Sequence, residues 1–119
     1  MLSLPQPVHI YLCAAPTDMR KGFDSLAALV AEELGGDPLS GHLFVFRSKR
    51  GDRVKLLFWD RDGLTLYYKR LEQGVFRFPA ADDPAAKSIE VTAQELSLLL
   101  WGIDPSSVRR QKCYRRAAS

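Results

Sequence analysis

Basic and aromatic residues alternate along the middle of the chain. Residues 41–79 hold nine basic and four acidic residues. Lys and Arg displace counterions from phosphates, and aromatic rings stack on bases, so this mixture is typical of a nucleic-acid-binding surface. Trp59 and Tyr68 would stack on bases if they are exposed. We predict phosphate contacts from Arg47, Lys49, Arg50, Arg53, Lys55, Lys69 and Arg70.

A second basic run closes the sequence. Residues 105–119 contain five basic and no acidic residues, and they show no periodicity. We predict a mobile tail that adds affinity for phosphates through Arg109, Arg110, Arg115 and Arg116. A solubilising end, or a docking peptide for an acidic protein, would have the same composition.

Acidic segments separate the two basic runs. Residues 1–40 carry a net charge of −3 and residues 80–104 a net charge of −4, within a chain of net charge +3. The basic runs therefore have a second interpretation, in which they form a solvated surface whose charges balance once the chain folds.

Other chemistries find little support in the residue types. The two histidines and two cysteines do not lie at metal-ligand spacing, and no nucleophile or phosphate-loop motif occurs. Asp60 and Asp62 flank a turn, where Asp is favoured for backbone reasons. We predict no catalytic residue, no metal and no cofactor. A metal-dependent nuclease component is a weaker alternative, and it needs both of these carboxylates to converge with a third.

Helical and turn signals define the first part of the chain. The β-branched and aromatic run at 8–13 predicts a strand. Apolar residues then recur at helical spacing, which predicts a helix over 18–34 capped by Thr17 or Asp18 and ended by Gly35 and Gly36.

The middle of the chain predicts an antiparallel meander. Four apolar runs, at 43–46, 54–59, 64–71 and 75–78, are separated by turn residues, and Asp62-Gly63 is a strong hairpin signal. A short strand at 88–91 and a helix over 92–102 follow, the helix beginning with a capping box from Thr92 to Glu95.

Alternation divides the 53–71 hairpin into two faces. The second face holds Val54, Leu56, Phe58, Thr65, Tyr67, Lys69 and Leu71. The first is basic at its open end and apolar toward the turn, and it holds Arg53, Lys55, Leu57, Trp59, Leu64, Leu66, Tyr68 and Arg70. The first face could bind nucleic acid, or its apolar members could simply be core.

These elements predict one α+β domain over residues 1–104, with a mostly antiparallel sheet packed against two helices and a basic tail over 105–119. The length of 119 residues suits a single domain. No apolar run approaches the roughly 20 residues that span a bilayer, and the start of the chain does not resemble a signal peptide. Two distant cysteines do not form a disulfide framework, so we expect a cytoplasmic protein that does not bind membranes.

Ordered motifs along residues 8–104 resemble one protein family. The motifs are 17–24, 26–30, 37–46, 50–53, 59–64, 68–72 and the pair Phe78-Pro79. They closely resemble the small TnpB-type accessory protein, the second open reading frame product, of the insertion sequence 66 family of bacterial transposable elements. The strong match does not extend into the basic tail.

The resemblance implies a function that composition does not show. Such elements encode a large transposase together with small accessory proteins, so it implies a non-catalytic role in transposition. The expected partners are DNA at the element ends, the transposase of the same element, or both. The alternative is a pure protein-interaction module that docks to the transposase through the apolar part of the hairpin face without touching DNA. The oligomeric state is left open.

Overall fold

The computed structural model describes residues 8–101, which contain five strands and two helices in an α+β arrangement. Its elements are β1 (Ile10–Cys13), α1 (Phe23–Glu32), β2 (Leu43–Arg47), β3 (Arg53–Asp60), β4 (Gly63–Arg70), β5 (Ser88–Val91) and α2 (Ala93–Leu100). The strands form one sheet in the order β4-β3-β2-β1-β5. The predicted mostly antiparallel sheet with two helices is confirmed. The predicted boundary at 104 and the basic tail lie outside the described residues.

One pair of strands is parallel. β1 runs alongside β2 in the same direction, while the β1–β5, β2–β3 and β3–β4 pairs are antiparallel. α1 connects the two parallel strands, as a crossover helix must. The antiparallel strands β2, β3 and β4 of the predicted meander therefore continue from a β1-α1-β2 unit.

Both faces of the sheet are covered. On the α1 face, Leu26 and Val30 of α1 pack against Phe44, Phe46 and Leu57 of the sheet. On the α2 face, the apolar side of α2 packs against alternate residues of β1, β2 and β3. Because both faces are buried, the central strands are almost continuously apolar.

The first helix begins five residues later than predicted. Neither Thr17 nor Asp18 caps it; Gly22 is the N-cap residue and has no side-chain cap. The Nζ of Lys55 donates to the carbonyls of Met19 and Lys21, and this contact holds the segment before Gly22 in a non-helical path. α1 finishes at Glu32, two residues before the predicted end at 34, and Gly35 and Gly36 follow it as expected.

The predicted strand at 75–78 does not form. Gly74 has a φ of +80°, and beyond it the backbone N–H of Phe76 donates to the carbonyl of Gly51. The Phe76 ring is buried in the core on the α2 face. Burial of this ring turns the segment away from the edge of β4, and Pro79 has no N–H to continue a ladder.

The 53–70 hairpin has the predicted faces and turn. Register partners Arg53–Arg70, Lys55–Tyr68, Leu57–Leu66 and Trp59–Leu64 share one face. The loop residues are Arg61 and Asp62, because Asp60 pairs with Gly63. Arg61, at φ +56°, has the left-handed conformation, so the positive φ falls on Arg61 and not on Gly63.

The second helix begins where the capping box predicted. The Thr92 side chain accepts from the N–H of Glu95, and the Glu95 carboxylate accepts from the N–H of Thr92. α2 ends at Leu100. Within residues 8–101, neither helix has the length and apolar character needed to cross a membrane.

We predict that Thr92→Ala lowers the free energy of unfolding by about 1 kcal/mol, because loss of the Thr92 side chain leaves the N–H of Glu95 without its acceptor. Urea denaturation measures the change. Ser97→Ala, at an exposed position inside α2, is the matched control and should change stability by less than about 0.5 kcal/mol. Equal effects of the two substitutions would contradict the role of the cap.

Candidate nucleic-acid interface

A surface groove separates the loop before α1 from the turn between β2 and β3. Its volume is about 530 Å³, and we call it the basic groove. The loop supplies residues 16–20 and the turn supplies Ser48, Lys49, Arg50, Asp52 and Arg53. The backbone N–H of Thr17 donates to the carbonyl of Arg47 at 2.8 Å, which attaches the loop to the end of β2.

Lys55 holds the loop side of the basic groove in place. Lys55 is only 6% exposed, and its Nζ donates to the carbonyl oxygens of Met19 at 2.8 Å and Lys21 at 2.7 Å. The Nζ also lies 4.6 Å from the centre of the Tyr68 ring. A buried ammonium needs such partners to offset its lost hydration. Lys55 is therefore placed to position the loop, and its charge is used within the protein.

Arg20 lies between the two carbonyls that Lys55 binds, and it forms a fork with Asp18. Its Nη2 donates to Oδ2 at 2.8 Å, and its Nε lies 3.1 Å from both carboxylate oxygens. The side-chain and backbone hydrogen bonds from Arg20 lower the pKa of Asp18 from 3.8 to about 2. The Arg20 side chain is 92% exposed, so the guanidinium meets solvent while Asp18 orients it.

Ser48 organises the turn side of the basic groove. Its buried Oγ accepts from the N–H groups of Gly51 and Arg53, both at 3.1 Å, and donates to Asp52 Oδ1 at 3.2 Å. Gly51 takes a φ of +84° and packs against Val75. These bonds fix the backbone of the turn that carries Lys49 and Arg50, whose side chains are exposed.

Two of the predicted phosphate-binding residues lie on the other side of the sheet. Arg47 pairs with Val54 and therefore projects from the α2 face, where its Nη2 donates to the carbonyl of Ala14 and its guanidinium lies over the Phe78 ring. Lys69 also lies on the α2 face, and its Nζ donates to the carbonyl of Leu100 at 2.9 Å. The seven predicted cations therefore do not form one surface.

Arg53 and Arg70 lie directly opposite each other on β3 and β4. Arg53 lines the basic groove, whereas Arg70 approaches Glu72, with 3.6 Å between Nη2 and Oε2. Tyr68 is half exposed and lies beside the loop through its contact with Lys55, so a base could reach it. Trp59 is half-buried. The four tail arginines lie outside the described residues.

The two alternative functions require a cluster of carboxylates and an exposed apolar hairpin face. Residues 8–101 contain neither arrangement in full. Asp60 and Asp62 are exposed at the hairpin tip, and no group of three His, Cys, Asp or Glu side chains within residues 8–101 could hold a metal ion. The apolar part of the hairpin face, with Leu57, Leu64 and Leu66, packs against the α1 core. The docking surface expected for the transposase is therefore largely packed within the protein, with Leu57 buried and Leu64 and Leu66 partly buried.

Sequence reasoning missed Arg20 as a member of the site. It lies in an acidic part of the chain, far from the basic run, and only the fold brings it to the turn at 48–53. The signal was present in the family motif at 17–24, whose clustered Asp18, Arg20 and Lys21 precede the helix. The positioning role of Lys55 required knowledge of its burial.

Comparison with known proteins identifies a matching family but no matching solved structure. A family model described as IS66 Orf2 like protein matches residues 8–110. The uncharacterized protein y4jC of Sinorhizobium fredii is 38% identical over 115 residues, covering 97% of this chain and 96% of that protein. The uncharacterized protein y4hO of the same organism is 43% identical over 104 residues, covering 87% and 88%. No solved structure matches.

We predict that Lys55→Met lowers the free energy of unfolding by about 2 kcal/mol, because two loop carbonyls lose a charged donor. The measurement is the urea unfolding curve. Lys49→Met removes the same charge from an exposed side chain of the basic groove and should change stability by less than about 0.5 kcal/mol. A Lys55→Met protein as stable as Lys49→Met would contradict the positioning role.

The Asp18–Arg20 fork predicts a pH dependence. Because the folded pKa of about 2 lies below the ordinary 3.8, the pair stabilises the fold above about pH 4, and this contribution is lost as the pH falls toward 2. Carboxyl NMR titration should give a midpoint near 2 for Asp18, moving up toward 3.8 in Arg20→Gln. The Arg77→Gln variant should leave the midpoint in place. A wild-type midpoint near 3.8 would contradict the fork.

Proposed function

Because the chain belongs to the IS66 Orf2-like family, we propose that it is an accessory factor of transposition that binds DNA through the basic groove. The family suggests an accessory role associated with an insertion sequence and not a known catalytic one. The finer part of the proposal, a DNA ligand, rests on the groove. The DNA at the ends of the element is the proposed target.

Three cations of the basic groove that form no ion pair within residues 8–101 carry the proposal. Within residues 8–101, ion pairs within 4 Å join His9 to Glu90, Arg20 to Asp18 and Arg70 to Glu72. Lys49, Arg50 and Arg53 have no such partner there. Of the two carboxylates that line the groove, Asp18 is bound by Arg20 and Asp52 accepts from Ser48. The groove therefore has an excess of positive charge facing solvent, which favours a phosphate ligand.

The rigidity of the groove supports the same ligand. Ser48 fixes the backbone of the turn and Lys55 fixes that of the loop, so binding need not order the main chain that carries the cations. Phosphate contacts would come from Lys49, Arg50 and Arg53, with Arg20 at the other wall. Tyr68 would stack beside the loop, and the tail arginines would add contacts that depend on charge alone.

A second candidate is docking to the transposase of the same element. Trp101, at the end of α2, is 75% exposed, and such rings are enriched in protein interfaces. This candidate uses the α2 side of the molecule, whereas DNA binding uses the groove on the other side. The two functions are therefore compatible in one protein, and substitutions can separate them.

We predict that the triple variant Lys49→Gln, Arg50→Gln, Arg53→Gln binds an element-end duplex more weakly and with a smaller dependence on salt. Loss of three phosphate contacts should reduce the slope of log K against log salt concentration by about 2 to 3. Fluorescence anisotropy at several salt concentrations, with a scrambled duplex alongside, measures both quantities.

The control removes the same charge from exposed positions that do not line the groove, with Arg61→Gln, Arg77→Gln and Lys87→Gln. It should retain most of the wild-type slope. An equal loss in both triple variants would mean that net charge alone drives binding. Absence of binding by the wild-type protein at low salt would refute the DNA ligand and favour the transposase.

A further inference from the structure

β4 is a long and unprotected edge of the sheet. It has eight residues, and within residues 8–101 it pairs only with β3, along its inner side. Its central residues, from Leu64 to Tyr68, carry no charge and no proline. Proteins normally shorten, charge or cover such an edge, because its free N–H and C=O groups pair with other strands. The opposite edge strand, β5, has four residues and carries Glu90.

The hydrogen-bond pattern shows which backbone groups face outward. Asp60 and Gly63 close a two-residue loop, and the N–H of Leu71 donates to the carbonyl of Asp52 at 2.8 Å. Antiparallel pairs alternate, so the odd-numbered residues of β4 bond to β3. The N–H and C=O groups of the even-numbered residues face outward: Leu64, Leu66, Tyr68 and Arg70.

We propose that two copies of this chain form a symmetric dimer by antiparallel pairing of their β4 strands, with Leu66 facing Leu66 of the partner subunit. A two-fold axis at this position brings Arg70, the last residue of β4, to the hairpin turn of the partner subunit, where Asp62 lies just before β4, and the same contact repeats about the axis. Leu64 then faces the partner's Tyr68. The pairs within β4 on this face are apolar or aromatic, and the charges that meet at its two ends are opposite, which favours an antiparallel ladder.

Other registers satisfy fewer of these pairs. Moving the axis to Tyr68 places Arg70 opposite the partner's Leu66 and leaves Asp62 away from the partner's Arg70. Moving it to Leu64 leaves Arg70 opposite the buried Phe58 at the inner strand of the partner subunit, where no edge is available. Among the axes that pass through a hydrogen-bonded pair, the charges at the two ends of β4 therefore favour the one at Leu66.

The dimer would also reduce the repulsion between Arg53 and Arg70 within each copy. Arg53 and Arg70 face each other across a pair that is not hydrogen-bonded, where side chains lie closest. Like charges in this position are destabilising. Glu72 reaches Arg70 only at 3.6 Å and is itself largely exposed. In the dimer the partner's Asp62 neutralises Arg70, which leaves Arg53 to the basic groove.

Charge reversal tests the proposal. Sedimentation equilibrium of the full chain should give a mass that rises with concentration from 13.4 kDa toward about twice that value. Arg70→Asp or Asp62→Arg alone should raise the dimer dissociation constant by about tenfold, since each places like charges together. The double variant should restore wild-type association. A wild-type protein that stays monomeric, or a double variant no better than the single ones, would overturn the proposal.

A cysteine pair tests the register independently of charge. In a Cys113→Ser background, Leu66→Cys places two thiols directly opposite each other, at a Cα separation of about 5.5 Å that suits a disulfide. Thr65→Cys is the matched control, because its two copies would lie too far apart. Oxidation should cross-link the Leu66→Cys protein and leave the Thr65→Cys protein monomeric under denaturing conditions. Equal cross-linking of both variants would refute this register.

Discussion

The buried ammonium of Lys55 is the interaction on which the binding surface depends. Lys55 lies on β3, the inner strand of the hairpin, and its Nζ binds two carbonyls of a loop more than thirty positions earlier in the chain. The same contact stops α1 from starting at Asp18 and sets Arg20 between two fixed points. It also presents Tyr68 beside the loop. One desolvated charge thus couples the start of a helix, the wall of the groove and an exposed ring, because leaving it unpaired would be costly.

The two surfaces proposed here divide the basic residues of the hairpin by their positions in the sheet. Arg53 lies on the inner side of the hairpin, next to the rigid turn, and belongs to the groove. Arg70 lies on the outer strand, where the backbone has free hydrogen-bonding groups. Pairing of β4 strands would give a two-fold assembly with two copies of the groove. Such an assembly suits a DNA site with two related halves, because the symmetry of a dimer is mirrored in the site it binds.

Local patterns in the sequence predict the elements whose causes are local. The capping box at Thr92, the glycine stop after α1 and the register of the hairpin all follow from nearby residues, and the structure confirms them. The errors have distant causes. Lys55 delays the start of α1, and burial of Phe76 keeps residues 75–78 from forming a strand. Alternation correctly placed Lys55 beside Arg53, but it could not show that Lys55 is bonded internally or that Arg47 and Lys69 hold carbonyls on the other face.

The most direct test of the groove is a titration of the protein with an element-end duplex, followed by the backbone amide chemical shifts of residues 8–101. We predict the largest shifts in the loop at 16–21 and the turn at 48–53, with smaller shifts in α2. Shifts confined to α2 and β5, or no shifts at DNA concentrations that saturate binding, would contradict the central claim that the loop and the turn together form the DNA-binding surface.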